Sequence, residues 1–256
     1  GSFWLAYQPI IALESHEVLG IEALLRWNHP TRGNLAPAQF IDLAEETGLI
    51  LPIGRWVLRE ACARTAEWNA QRGDGRAFSV TVNLSVRQLE SSSLLADVQA
   101  ALAESGLLPS LLVLEITENA LMHRTESTVE RLHELKGIGV RLAIDDFGTG
   151  YSSLSYLQQF PVDILKIDRA FTDGLMRGTH DDALTRTIIA LGDLLTLRTI
   201  AEGVEHARQH SRLRDLGCDY GQGYLFSRPL APRDMEVLLT RGFLEIPGEA
   251  PIVLRA

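Results

Sequence analysis

The chain has 256 residues, 46% of them hydrophobic and 22% charged, and 24 Lys+Arg against 33 Asp+Glu give a net charge of −9. Those proportions describe a globular protein long enough for one large α/β domain, and the acidic balance excludes broad binding to a nucleic-acid polymer, which needs clustered Lys and Arg. The longest stretch free of Asp, Glu, Lys and Arg, residues 147–162, is rich in Gly, Ser and Gln and holds a Pro, so it is no membrane span.

At the N-terminus, Gly1-Ser2 reads as a cloning scar on a piece cut from a longer protein, and nothing there reads as a secretory signal. Residues 3–11 have the look of a strand. Only the polar turn Glu14-Ser15-His16-Glu17 separates them from a second strand at 18–25, too short a gap for a helical crossover. The pair predicts a hairpin, with one strand near the N-terminus antiparallel to the rest. A helix follows at 38–47, with Phe40, Ile41, Leu43 and Ala44 apolar and Gly48 as its stop signal. The next, at 52–71, carries Ile53, Trp56, Val57, Ala61, Thr65 and Trp68 along one side. Further strands are expected at 79–84, 111–116, 140–144, 163–167 and 199–201, with a weaker one at 219–222. Helical patterns at 94–105, 125–136 and 181–195 lie between them. Seven or eight such units in a chain of about 250 residues predict a TIM-like (β/α)8 barrel, with an open doubly wound sheet as runner-up. The barrel is expected over 3–244, leaving 245–256 as a tail without an assigned role. Cys62 and Cys218 supply neither a disulfide framework nor a C-x-x-C spacing, which fits a reducing cytoplasm.

The C-terminal ends of these strands are polar where a purely structural strand would continue apolar. In order they carry Glu22, Asn83, Glu115, Asp145 with Asp146, Lys166, Glu202 and Gln222, and a barrel brings all of them to one mouth. Because side chains alternate faces, Thr81, Asn83 and Ser85 share one side and Val80, Val82 and Leu84 the other; Ile164, Lys166 and Asp168 lie together in the same way. Glu115 and Glu118 are three positions apart and cannot both point inward, which puts Glu118 in the loop after its strand. Taken singly, such residues read as solvated strand ends or helix caps, as Asn119 and Asp181 do. Taken jointly, carboxylates about 5 Å apart repel by about 3 kcal/mol per pair at an effective dielectric near 20, and a cation must offset this. Oxygen ligands suit Mg2+ or Mn2+ rather than zinc or copper. Two such ions about 3.5–4 Å apart would form a phosphodiester-hydrolysing centre.

Other motifs carry less. Ser153 stands where a dinucleotide fingerprint beginning at Gly148 needs its third glycine, and Ala207 stands where a His206/His210 zinc motif needs glutamate. Trp27, Trp56 and Trp68 offer base-stacking surfaces, but Trp56 and Trp68 fit better as packing between a helix and the barrel. A barrel aldolase using Lys166 as Schiff-base nucleophile is a competing reading. Neighbouring carboxylates oppose it by raising the pKa of the ammonium.

The blocks Glu22-Ala23-Leu24 with Leu25-Arg26-Trp27, Val82-Asn83-Leu84-Ser85, Leu114-Glu115-Ile116-Thr117-Glu118 and Asp145-Asp146-Phe147-Gly148-Thr149-Gly150-Tyr151-Ser152-Ser153-Leu154 resemble EAL-domain cyclic-di-GMP phosphodiesterases. So do Leu165-Lys166-Ile167-Asp168, Ala201-Glu202-Gly203-Val204-Glu205 and Gln222-Gly223-Tyr224-Leu225-Phe226-Ser227-Arg228-Pro229, in the same order, and the resemblance runs from residue 3 to 239. It implies hydrolysis of cyclic di-GMP to linear pGpG with two ions, Mg2+ or Mn2+. Glu22, Asn83, Glu115 and Asp145 are implied to hold one ion, and Asp145, Asp146 and Glu202 the other, with Asp145 bridging. Lys166 is implied beside the attacking water and the scissile phosphate, and acts in catalysis with Glu22 and Glu202. Gln222 is implied to support the water or metal shell, Arg26 to contact phosphate, Gln8 to contact substrate, and Glu118 to anchor the glycine-rich segment 146–154. A homodimer, an N-terminal sensory or cyclase domain in the full-length protein, a cytoplasmic location and no membrane contact by this domain are implied as well. The alternative is a catalytically silent receptor for cyclic di-GMP. Such receptors usually lack metal ligands, and here each has its residue.

Overall fold

The computed structural model describes residues 2–72, 75–122, 126–148, 157, 159–175, 179–241 and 244. The expectations for Gly1, for the rest of the glycine-rich segment at 149–156, for the Asp181 side chain and for the tail at 245–256 lie outside them. The strands are β1 (Ser2–Ala12), β2 (Val18–His29), β3 (Gly33–Leu35), β4 (Ser79–Leu84), β5 (Leu112–Thr117), β6 (Arg141–Phe147), β7 (Ile164–Ile167), β8 (Arg198–Ala201) and β9 (Tyr220–Gly221). Neighbours run β1-β9-β8-β7-β6-β5-β4-β2, and β2 returns to β1, which closes a ring and leaves β3 outside it. This is the TIM-like barrel, not the open sheet.

Barrel closure rests on the predicted hairpin. β1 is antiparallel to both neighbours, pairing with β2 along a register that sets Gln8 against Glu22, and meeting β9 at Ile11 and Ala12. The other ring pairs are parallel. The turn is tight enough to hold His16 at φ 56.

Strand alternation sorts the core into two shells. Ile10, Val113, Ala143, Ile164 and Ile200 fill the barrel interior. Val80, Val82, Leu84, Leu165 and Ile167 belong to the larger shell under the helices, as the parity of β4 and β7 requires. Trp68 of the helix Ile50–Gln71 is buried in that outer shell edge-on to Tyr7 of β1, with ring centroids 4.9 Å apart, and Trp56 lies against Phe3. These tryptophans pack the helix on the barrel. Trp27 joins the same aromatic group through Phe3 and Phe40.

Several helices match their sequence signals. Leu94–Ser105 ends at Gly106 with φ 70, and Ile41–Thr47 ends at Gly48 with φ 78, both left-handed caps. The helix expected at 38–47 is interrupted, however. A 3-10 turn at Pro37–Gln39 comes first, and Phe40 at φ −148 breaks the run because its ring is drawn into the core beside Phe3 and Trp27. Short helices at Val86–Leu89, Arg169–Gly174, Ala207–Asp215 and Pro232–Arg241 were not expected. The first carries a legible signal, a capping box between Ser85 and Gln88.

Candidate active site

All eight strand-end residues named from the sequence reach the mouth, and Lys166 stands at the centre of the charge. Its Nζ lies 2.6 Å from Glu115, 2.5 Å from Glu202, 3.4 Å from Asp145 and 3.7 Å from Glu22, with the side chain only 1% exposed. Burial alone would lower the Lys166 pKa, but the carboxylates of Glu115, Glu202, Glu22 and Asp145 outweigh it and hold the ammonium well above its ordinary value. Lys166 is therefore a fixed cation, which argues against the aldolase.

The carboxylates respond in different ways. Glu115 is pushed well above the usual carboxylate range by complete burial, opposed by Lys166. Burial raises Glu202 to about 7 against the pull of Lys166. Asp146 rises to about 6 through burial, the charge of Asp145 and a hydrogen bond with Asp168. Burial also opposes ionisation of Asp145, yet Lys166 outweighs it and leaves the carboxyl below its ordinary value.

Consecutive residues in a strand face opposite ways, so Asp145 and Asp146 need a local device to share the mouth. The structure supplies it. The β6–β7 register shifts between Ile144 and Phe147, and Asp146 adopts φ 55, a left-handed conformation that Asp tolerates better than most residues. Ligand oxygens of Asp145, Asp146 and Glu202 lie within 4.8 Å of one another, as do those of Glu22, Glu115 and Glu202. The carboxylate common to both groups is Glu202. Asn83, exposed at the end of β4, donates from Nδ2 to Glu22 Oε1 at 2.8 Å.

The donor set fits hard divalent cations. It is all oxygen, and the buried Glu115 Oε2 and Gln222 Oε1 have no hydrogen-bond partner. Such orphaned acceptors are costly unless a cation or water meets them.

Glu118 opens the short helix Glu118–Met122 rather than lying in a loop, and its Oε2 accepts a hydrogen bond from Gly148 N at 2.8 Å. That bond grips the first glycine of the segment. A side chain at Gly148 would meet the Phe171 ring at 2.8 Å. Asp168, placed by parity beside Lys166, caps the helix Arg169–Gly174 by accepting from Ala170 N at 2.8 Å. Arg26, half-buried two pleats beyond Glu22, donates to the Leu25 carbonyl at 2.8 Å. Burial lowers its pKa, and Glu22 and Tyr224 oppose that.

Two cavities meet at Glu22. One of about 180 Å³ is lined by Gln8, Glu202, Glu205, Gln222, Tyr224 and Arg169. The other, of about 530 Å³, runs from Glu22 and Asn83 between Leu24, Pro37, Ile41, Ile53 and Leu84. Sequence reasoning gave no role to Tyr224, 47% exposed with the Arg228 guanidinium 4.2 Å from its ring centroid, or to the Arg169–Glu205 ion pair at 2.9 Å. Tyr224 and Glu205 belong to motif blocks and Arg169 directly follows one, but nothing in spacing singles them out. His210 is remote in kind: it packs on His16, ring centroids 5.0 Å apart, and on Phe226. Among the described residues, neither it nor His206 joins a group able to hold a metal.

Comparisons with known proteins agree with this geometry. The family model for the EAL domain matches residues 1–229. The chain is 44% identical over 226 residues to MucR of Pseudomonas aeruginosa, a bifunctional diguanylate cyclase/cyclic di-GMP phosphodiesterase, covering 88% of this chain and 33% of MucR. It is 45% identical over 235 residues to the cyclic di-GMP phosphodiesterase NbdA of the same organism, covering 92% of this chain and 30% of NbdA. The solved MucR phosphodiesterase in complex with c-di-GMP superposes with a TM-score of 0.86 at 43% identity, over 91% of this chain and 94% of that one. The chain thus spans about a third of the length of these two curated relatives.

Proposed function

This chain belongs to the EAL domain family, and from that premise we propose that it hydrolyses one phosphodiester bond of cyclic di-GMP and releases linear pGpG. The observation that carries the reading is the acidic cluster around Lys166, set where two cavities meet. A substrate with two base-bearing halves joined by phosphates can place a phosphate at Glu22 and a half in each cavity.

Glu22, Asn83, Glu115 and Asp145 would hold one divalent cation and Asp145, Asp146 and Glu202 a second, Mg2+ or Mn2+, which when bound supply Lewis acidity and a water of lowered pKa. Lys166 keeps its proton and stabilises the charge that develops on the phosphoryl oxygens during in-line displacement. Arg26 offers a second cation to phosphate, bidentate where its strand-bound Nη1 leaves the other donors free. Gln222, hydrogen-bonded to Glu22 at 2.6 Å, would support the water. Glu118 fixes the segment that carries Asp145 and Asp146 through Gly148.

The relatives are longer than this chain, which supports its being one module of a larger signalling protein. Among the described residues no helix is long and apolar enough to cross a membrane. The test is incubation with cyclic di-GMP and Mn2+ after chelation and add-back. Linear dinucleotide should appear, and Glu22→Ala should abolish it. Tight binding without product would make the protein a receptor instead.

A further inference from the structure

Gln8 of β1 is 8% exposed, and both ends of its amide are committed. Its Nε2 donates to the Ser227 carbonyl at 3.0 Å, and its Oε1 accepts from Gln222 Nε2 at 3.2 Å. Gln222 Nε2 donates also to Glu22 Oε2 at 2.6 Å. A backbone carbonyl only accepts, so Ser227 selects the NH2 end of Gln8. The oxygen of Gln8 is thereby left facing Gln222 and selects the NH2 end of that amide in turn. Gln222 Oε1 is the group left over, buried and without a donor. Glu22 enforces the same orientation in this arrangement, but it is also a proposed metal ligand. With its oxygens drawn to a cation, Gln8 is the group that holds the amide.

We propose that Gln8 is a positioning residue that passes the orientation of the Ser227 carbonyl to Gln222, so that Gln222 presents a carbonyl oxygen, not NH2, to the attacking water. The acceptor takes one O–H of that water and aims its lone pair at phosphorus. Gln8 acts through Gln222 in place of the direct substrate contact expected from the sequence. The kinetic consequence rests on the proposed hydrolysis; the orientation of the amides does not.

The test uses the whole chain with Gln8→Met, Gln222→Ala and the double variant, each checked for folding by thermal unfolding. Gln8→Asn, one methylene too short to reach Ser227, serves where the Met variant does not fold. With cyclic di-GMP and Mn2+, Gln8→Met should lower kcat about 10-fold with KM unchanged within about twofold, and adding it to Gln222→Ala should cost nothing further. Independently of turnover, the side-chain amide signal of Gln222 in a 1H–15N spectrum, identified by its loss in Gln222→Ala, should move in Gln8→Met. A raised KM at unchanged kcat, additive losses, or an unmoved Gln222 signal each overturns the proposal. If the wild type makes no linear dinucleotide while the Gln222 signal still moves, the hydrolysis reading fails and the relay stands.

Discussion

Replacing Lys166 by Met removes the one ammonium that touches Glu115, Glu202, Asp145 and Glu22 while keeping the length of the side chain. The contacts at 2.5 and 2.6 Å are each worth about 6 kcal/mol of attraction at an effective dielectric near 20. Repulsion among the carboxylates and the desolvation of all these groups cancel most of that sum. Truncating one partner of a buried ion pair leaves a net loss of about 3–5 kcal/mol. For a chain of this size the loss lowers Tm by about 6–20 °C. The assay is urea and thermal unfolding in EDTA at pH 8, above the point near 7 at which Glu202 ionises beside Lys166. The Lys166 pKa is raised on folding, so its contribution is complete below the unfolded value near 10.5 and is lost only above that. The deficit of the variant comes from uncompensated carboxylates, and it should shrink as pH falls, because Glu202, no longer held down by Lys166, takes a proton more readily than in the wild type. Saturating Mn2+ should shrink it too, because a cation replaces the missing charge. A variant within about 1 kcal/mol of wild type at pH 8 in EDTA, or a deficit that stays constant down to pH 5, would refute the claim that this ammonium compensates the cluster.

In metal-free wild type, Glu202 near 7 and Asp146 near 6 bind protons that the unfolded chain has released, so stability should fall as pH rises from 4.5 to 7. Glu202→Gln should flatten that fall and Mn2+ should reverse it; Tm across the window in EDTA is the measurement, and a rising profile contradicts the assignment. Gly223→Ala would set a Cβ 2.2 Å from the Val204 carbonyl oxygen, which forces the turn after β9 outward. It should cost about 1–3 kcal/mol in urea and lower kcat by displacing Gln222; unchanged values of both would show that the turn gives way freely. Cyanoborohydride with a carbonyl compound should leave no adduct on Lys166 by mass spectrometry, since the raised pKa withholds the neutral amine. An adduct there would revive the aldolase.

The sequence determined the elements and their faces. Period-2 and period-3.6 patterns are local, so β4 and the helix Leu94–Ser105 fall on the expected residues, and the polar strand ends announce a mouth before any fold is known. The short gap between the first two strands likewise announced the antiparallel entry. Tertiary structure decided what no local pattern encodes. Asp145 and Asp146 face one site only because the β6–β7 register slips and Asp146 turns left-handed. Phe40 ends a helical run because the core takes its ring. Lys166 has Asp145 and Glu202 beside it at the ends of its neighbouring strands β6 and β8, but Glu115 and Glu22, from β5 and β2, reach it only across the closed ring. The orientation of Gln222 depends on a carbonyl at Ser227 and an amide 214 positions earlier in the chain. Which carbonyl meets which amide is a property of chain closure over hundreds of residues, whereas hydrophobic alternation is a property of neighbours.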